Sequence, residues 1–266
     1  MFPPDLPPIS NRALYARRVL AKWLSFLIFG LGSVITALLI LPPIRIVLHP
    51  RARFQQHGRR LISYFLRFFV FIMRCLGMAS LEPGDREKYR RLSSKIVVAN
   101  HPSLIDPLLF LSLMPNADTV VIPYRNNIIL GGVVRQLYIL GSRNVDDVLQ
   151  SCTESLKRGN CLMIFPEGTR TPRSGNVILK KGAARIALAS GCNIVPVHIG
   201  GTDKFGLGKK DPWAAYNPQQ RYIYSLSMGA EISPEKYKHL PAPEAAKRMT
   251  EEIASFLFPA AESLQV

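Results

Sequence analysis

Between Trp23 and Leu41 the chain runs for 19 residues, WLSFLIFGLGSVITALLIL, without a charged side chain. As a helix rising about 1.5 Å per residue it reaches roughly 28 Å, close to the hydrocarbon thickness of a bilayer. A cleaved signal peptide would have a shorter apolar core ending in small residues, whereas this run ends in Leu41-Pro42-Pro43-Ile44-Arg45. The segment therefore reads as membrane-embedded.

A second apolar stretch, Leu61–Ala79, carries Arg67 and Arg74 seven residues apart, hence near one helical face. An arginine at mid-bilayer costs at least a few kcal/mol unless it snorkels or pairs. Cations flank the first stretch on both sides: Arg12, Arg17, Arg18 and Lys22 before it, and Arg45, Arg51, Arg53, Arg59 and Arg60 after it. A simple span would leave one cluster on the non-cytoplasmic side, against the positive-inside tendency. A helical hairpin dipping into one leaflet, with both clusters at anionic headgroups, meets all these conditions. A true span and a soluble helical pair are the alternatives.

The whole chain carries a formal charge of +16 and is 48% hydrophobic over 266 residues. That apolar content excludes a disordered basic tail. Residues 1–80 hold a net +10 and residues 81–266 a net +6, so a basic, greasy segment precedes a more ordinary body. Because much of the excess charge flanks membrane-type segments, and no nucleic-acid motif occurs, nucleic acid is not an expected partner. Cys75, Cys152, Cys161 and Cys192 are scattered without a CxxC pair. They read as buried small hydrophobes in a reducing compartment rather than as a disulfide framework or zinc site.

After a turn-like Leu81-Glu82-Pro83-Gly84-Asp85, short β-rich runs alternate with helical segments. The runs are 95–99, 119–123, 161–165, 193–199 and 222–228. Most are continuously apolar, as in strands buried on both faces of a sheet. Helical composition marks 147–157 and 180–190, each followed by a glycine suited to a C-cap, Gly159 and Gly191. Met249, Ile253, Phe256 and Leu257 line one face of a closing amphipathic helix. The expected fold class is α/β, a largely parallel or mixed sheet flanked by helices, preceded by an N-terminal membrane-embedded two-helix segment. The expected division is 1–80, the hairpin, and 81–266, the α/β domain.

Two stretches carry possible chemistry, and each directly follows an apolar strand, where open α/β sheets bind ligands. The first is Asn100-His101-Pro102-Ser103-Leu104-Ile105-Asp106-Pro107. A carboxylate beside an imidazole fixes its tautomer and stabilises the imidazolium, leaving the other ring nitrogen to take a proton. A spacing of five does not put His101 and Asp106 on one helical face, so they meet only if a turn intervenes. Asp106 is equally placed to cap a helix begun by Pro107, or to partner Ser103 in a capping box. The second stretch, Phe165–Gly175, supplies Glu167, Gly168, Thr169, Arg170 and Arg173. Backbone N–H groups, a hydroxyl and guanidinium forks are the donors a phosphate needs, although a solvated charged turn has the same composition. No P-loop, GxGxxG or GxSxG pattern is present.

Together these stretches resemble the glycerolipid acyltransferases typified by 1-acylglycerol-3-phosphate (lysophosphatidate) acyltransferase. The family's NHxxxxD element is met by Asn100, His101 and Asp106, and its FPEGTR by Phe165–Arg170. Its KGA is met by Lys181-Gly182-Ala183, and its VPV by Val195-Pro196-Val197. A Gly-containing block ending in Arg is met loosely, through Gly131, Gly132 and Tyr138–Arg143, and Arg125 stands where many relatives have a lysine.

The resemblance implies transfer of a fatty acyl group from a thioester, acyl-CoA or acyl carrier protein, to the hydroxyl of a lysophospholipid. His101 would be the general base, oriented by Asp106. Glu167, Gly168, Thr169 and Arg170 would hold the acceptor headgroup, with Arg143 and Lys181 as further contacts. No metal or cofactor is implied beyond the thioester co-substrate, and membrane phospholipids and the lysolipid acceptor are the other expected partners. A different lipid acceptor, and a non-catalytic membrane lipid-binding protein, are the competing readings. The expected location is a membrane, as in a bacterial inner-membrane enzyme whose catalytic domain faces the cytoplasm.

Overall fold

The computed structural model describes residues 6–121, 128–141, 144–173, 177–259 and 264–265. Arg125 and Arg143 lie outside the described residues. Helix α1 (Arg12–Ile35) starts where the Asn11 side chain accepts the Leu14 N–H at 2.9 Å. It passes through a π-helical turn, Thr36–Ile40, into α2 (Leu41–Val47), one continuous rod of 36 residues. Among the described residues this is one helix long and apolar enough to cross a membrane. Helix α3 (Arg51–Cys75) turns back beside it.

The body follows as β1 (Ala79–Glu82), α4 (Arg86–Arg91), β2 (Ile96–Ala99), α5 (Asp106–Leu113), β3 (Ala117–Val121), α6 (Ile128–Leu137) and β4 (Ile139–Leu140). It continues through α7 (Val145–Lys157), β5 (Cys161–Ile164), β6 (Val177–Ile178), α8 (Gly182–Ser190), β7 (Ile194–Gly201), β8 (Tyr222–Met228), α9 (Ala242–Leu257) and β9 (Leu264–Gln265). Seven strands form one sheet in the order β1-β8-β7-β2-β5-β3-β4, with β6 and β9 paired separately. Every neighbouring pair in the large sheet is parallel except β7 with β8, so the sheet is mixed and largely parallel.

The apolar runs are buried on both faces. In β2, Val97 and Ala99 join the core under α1–α6, while Ile96 and Val98 join the core under α7–α9. Gly159 and Gly191 have positive φ (83° and 71°) just past α7 and α8, as their C-cap positions require. On α9, Met249, Ile253 and Leu257 are buried, and Phe256 is partly buried against the same cluster.

Four details depart from the sequence reading. Strand β1 straddles residue 80, because its short ladder with β8 overrides the turn signal in Leu81–Asp85. The second apolar stretch ends as helix at Cys75; α3 buries Phe54, Ile62, Leu66, Phe69 and Met73 against the body, and Arg67 Nε donates to the Ser112 carbonyl at 2.8 Å. Cys75 is exposed rather than buried. Finally, two of the nine flanking cations turn inward. Lys22 is fully buried, and Arg59 Nη1 pairs with Asp118 Oδ2 on β3 at 2.5 Å. The same carboxylate oxygen accepts from Ser155 Oγ on α7 at 2.7 Å. This ion pair bolts α3 to the sheet.

The outward surface of these helices carries apolar stripes beside the remaining cations. Leu20, Leu24, Leu27, Leu31 and Leu38 form an exposed stripe on α1 and its π-helical extension, and Tyr64, Phe68 and Phe71 another on α3. Removing one partner of a buried ion pair leaves an uncompensated charge. Asp118→Ala is therefore expected to lower unfolding stability by about 3–5 kcal/mol, and the double change Arg59→Met with Asp118→Leu by much less, as read by denaturant titration in detergent.

Candidate active site

Strands β2 and β5 are adjacent and parallel, with Ile96 opposite Leu162 and Val98 opposite Ile164. Their carboxyl ends deliver the two chemistry-bearing loops side by side. Where β2 stops, the Asn100 side chain continues the pairing to β7: its Nδ2 donates to the Ile199 carbonyl at 3.0 Å and its Oδ1 accepts the Ile199 N–H at 2.6 Å. The turn at 101–105 then folds back to the first residue of α5, Asp106, and Pro107 sits where no backbone donor is needed.

That turn brings His101 Nδ1 to 2.8 Å from Asp106 Oδ2. Asp106 is fully buried and serves both His101 and Ser103, but it is the first residue of α5 rather than its N-cap, which is Ile105. Oδ2 also accepts the Ser103 N–H at 2.7 Å, and Oδ1 accepts the Ser103 hydroxyl. Ser103 Oγ in turn accepts from Tyr224 Oη on β8 at 2.9 Å. The imidazole lies against Phe165, with ring centroids 4.2 Å apart and planes 21° from parallel. The His101 side chain is 16% exposed. With Nδ1 committed to Asp106, Nε2 is the nitrogen available to an incoming hydroxyl.

The FPEGTR loop is strapped to the histidine from below. The His101 N–H donates to Glu167 Oε1 at 2.9 Å and to Thr171 Oγ1 at 3.1 Å, and Thr171 Oγ1 donates to Glu167 Oε1 at 2.8 Å. The Thr171 N–H returns a bond to the His101 carbonyl at 2.7 Å. Glu167 is only 6% exposed, so its carboxylate faces the histidine loop rather than an open headgroup site. Oε2 is buried with no partner among the described residues. Burial pushes the Glu167 carboxyl above the ordinary glutamate range, against the opposing pull of its bonds to Thr171 and His101.

Gly168 and Thr169 are exposed, and Gly168 needs its positive φ (64°) to turn the loop. Arg170 is half-buried, with Nη1 donating to the Leu207 and Gly208 carbonyls at 3.0 and 2.8 Å. Arg173 is committed to carboxylates instead: two bonds of 2.7 Å to Asp203 and two, of 3.0 and 3.3 Å, to Asp211. Lys181 lies at the N-terminus of α8, and no bond among the described residues joins it to the histidine loop.

Sequence reasoning passed over Tyr224 and Lys204. Lys204 is buried beside the Tyr224 ring, 4.6 Å from its centroid, and its ammonium donates to the carbonyls of Gly200 (3.2 Å), Ile223 (2.9 Å) and Thr202. Burial lowers its pKa to about 8. It borders a cavity of about 390 Å³ next to the histidine loop, also lined by Pro102, Thr171, Arg173, Thr202 and Gly208. Neither residue carried a local signal, since each reaches the site only through the pairing of β7 with β8. Ser103 and Thr171 stood within the quoted stretches and were legible as polar neighbours.

Residues 81–200 match the family described as Acyltransferase. The chain is 30% identical over 53% of its length to a chloroplastic 1-acyl-sn-glycerol-3-phosphate acyltransferase of Arabidopsis thaliana, covering 43% of that protein. It is 26% identical over 52% of its length to a 1-acyl-sn-glycerol-3-phosphate acyltransferase of Borreliella burgdorferi, covering 60% of it. The chain thus spans about half the length of these curated relatives. The crystal structure of the 1-acyl-sn-glycerophosphate acyltransferase PlsC from Thermotoga maritima superposes with a TM-score of 0.62, covering 92% of this chain and 99% of that one at 21% identity. The fold is therefore PlsC-like, and the match to the Acyltransferase family model covers residues 81–200, a little under half of the chain.

The raised carboxyl of Glu167 gives a signed expectation. Its folded-state pKa lies above the unfolded one, so wild-type stability falls as pH rises from the ordinary glutamate range through the raised value. Glu167→Gln keeps an acceptor for His101 and Thr171 but does not titrate. Denaturant titrations across pH should show the variant gaining on wild type through that window and holding a constant difference above it.

Proposed function

We propose that this chain is a membrane-bound lysophosphatidate acyltransferase that moves a fatty acyl group from a thioester, on CoA or acyl carrier protein, to the free hydroxyl of 1-acylglycerol-3-phosphate. The reading rests above all on His101 held at 2.8 Å by a fully buried Asp106 at the carboxyl end of β2, directly beside the FPEGTR loop. An alcohol is too weak an acid to ionise at neutral pH, so a positioned base must take its proton as it attacks. His101 Nε2 accepts that proton, Asp106 stabilises the resulting imidazolium, and the acceptor oxygen bonds to the thioester carbonyl carbon. The carbon–sulfur bond then breaks and the departing thiolate takes the proton from the imidazolium. The base is restored without an acyl-enzyme.

Arg170 is the residue best suited to the acceptor phosphate. Its Nη1 is spent on two carbonyls, which hold the guanidinium in place and leave other N–H groups of the fork for phosphate oxygens. Gly168 and Thr169, directly before it in the loop, are exposed. Glu167 acts through the His101 loop that it braces. Residues 1–80 seat the domain at headgroup depth, where acceptor and product reside. An apolar cavity of about 380 Å³ between α1 and α3, bordered by Phe29, Phe65, Phe69, Leu108 and Val134, suits a hydrocarbon chain.

In thioester-cleavage assays on protein in lipid nanodiscs, His101→Ala is expected to lower kcat by on the order of 10²–10⁴-fold while leaving thermal unfolding unchanged. Substantial turnover by the folded variant would remove His101 as the base. Arg170→Ala should raise KM for the lysophosphatidate acceptor and leave that for the thioester donor nearly unchanged. A panel of lysolipids differing only in headgroup then distinguishes a phosphate-reading site from one that accepts another lipid.

A further inference from the structure

The segment between β7 and β8 is tied to α1 by bonds that span most of the chain. Lys22, at the start of the uncharged run, is 0% exposed, and its ammonium donates to the Trp213 carbonyl at 2.6 Å and the Ala215 carbonyl at 2.5 Å. The Tyr216 N–H donates to the Tyr15 hydroxyl at 3.2 Å. These contacts settle which side of α1 faces the body, and they bring two indoles together: Trp213 and Trp23 lie 6.4 Å apart between ring centroids.

Both residues are partly open to solvent. Trp213 is 61% exposed and Trp23 is 44% exposed. A single exposed aromatic needs no explanation, but this pair stands at the upper end of the apolar stripe formed by Leu20, Leu24, Leu27 and Leu31. Tryptophan at the edge of such a stripe is the composition of a water–hydrocarbon boundary. Lys209 and Lys210, four and three residues before Trp213, are exposed, and no acidic partner is paired with either among the described residues. The turn that carries them is rigid, because the Asp211 carboxylate accepts the Gly206 and Gly208 N–H groups at 2.8 and 2.9 Å.

We infer that residues 209–214 form a second membrane contact, in which Trp213 inserts beside Trp23 at the boundary of an anionic phospholipid bilayer and Lys209 and Lys210 meet its headgroups. The inference rests on the membrane reading of α1 and adds a loop of the catalytic domain to it. The positive side chains and the continuous apolar stripe select an anionic lipid surface as the occupant. The same segment holds Arg170 through the Leu207 and Gly208 carbonyls, so a loop seated on lipid also sets the position of that guanidinium.

The chain has two tryptophans, so Trp23→Phe makes Trp213 the sole indole reporter. The full-length variant is bound to vesicles of phosphatidylglycerol and phosphatidylcholine. Its emission should shift to the blue, be quenched by lipids brominated near the headgroup end of the acyl chain, and be shielded from aqueous iodide. Unshifted emission, open to iodide while the protein sediments with the vesicles, would overturn this inference alone. Wild-type protein that stays in the supernatant would overturn the membrane reading of α1 and this inference with it. Independently of any tryptophan change, Lys209→Gln with Lys210→Gln should weaken partitioning onto phosphatidylglycerol-containing vesicles by about fivefold for each lysine removed. Partitioning onto phosphatidylcholine alone should be unaffected, and equal partitioning of variant and wild type onto the anionic vesicles counts against the contact.

Discussion

Strands β2 and β5 run side by side in the same direction, buried on both faces, and the site depends on that pairing. It sets the NHxxxxD and FPEGTR loops against each other at one end of the sheet. The loops are then joined by a compact set of bonds: the His101 N–H to Glu167 and Thr171, and Thr171 back to the His101 carbonyl. Backbone groups at a strand's end need partners when they are buried. Here the facing loop supplies them, so satisfying the backbone and positioning the imidazole are accomplished by the same contacts.

The imidazole is held from its other side by Asp106, whose carboxylate also collects both donors of Ser103. Tyr224 closes this network from β8. A fully buried carboxylate with so many donors has little freedom to rotate, which fixes the histidine ring as well as its tautomer. The N-terminal helices are linked to the same body by two buried cations: Arg59 reaches the sheet through Asp118, and Lys22 reaches the β7–β8 segment through backbone carbonyls. Through that segment the apolar rod is linked to the carbonyls that hold Arg170.

Much of this was legible locally. The core of the strands at 95–99 and 161–165 follows from continuous apolar runs, the strand at 222–228 from a β-rich run that alternates with serines, and the helix ends at Gly159 and Gly191 from the need for positive φ. Strand β1 was hidden because four residues beside a Pro-Gly pair look like a turn until β8 pairs with them. The family resemblance implied Glu167 as a headgroup contact, and a carboxylate in a Gly-rich charged loop reads as solvated. Its burial depends on the neighbouring strand, which no local window contains. The same holds for Lys22 and Arg59, which read as headgroup cations beside an apolar run.

Residue types and spacings were enough to mark a long apolar helix and an α/β body, because each is a property of a short stretch and its period, whereas the pairing of His101 with Asp106 was implied by the family resemblance and needed the turn at 101–105 to form. The side on which each charge lies, the partners of Glu167, the burial of Lys204, and the arrival of Tyr224 and Trp213 beside residues more than a hundred positions away belong to the packed molecule. They follow from strand order and from buried polar groups seeking partners. Those are long-range conditions, satisfied only when the sheet has closed around β2.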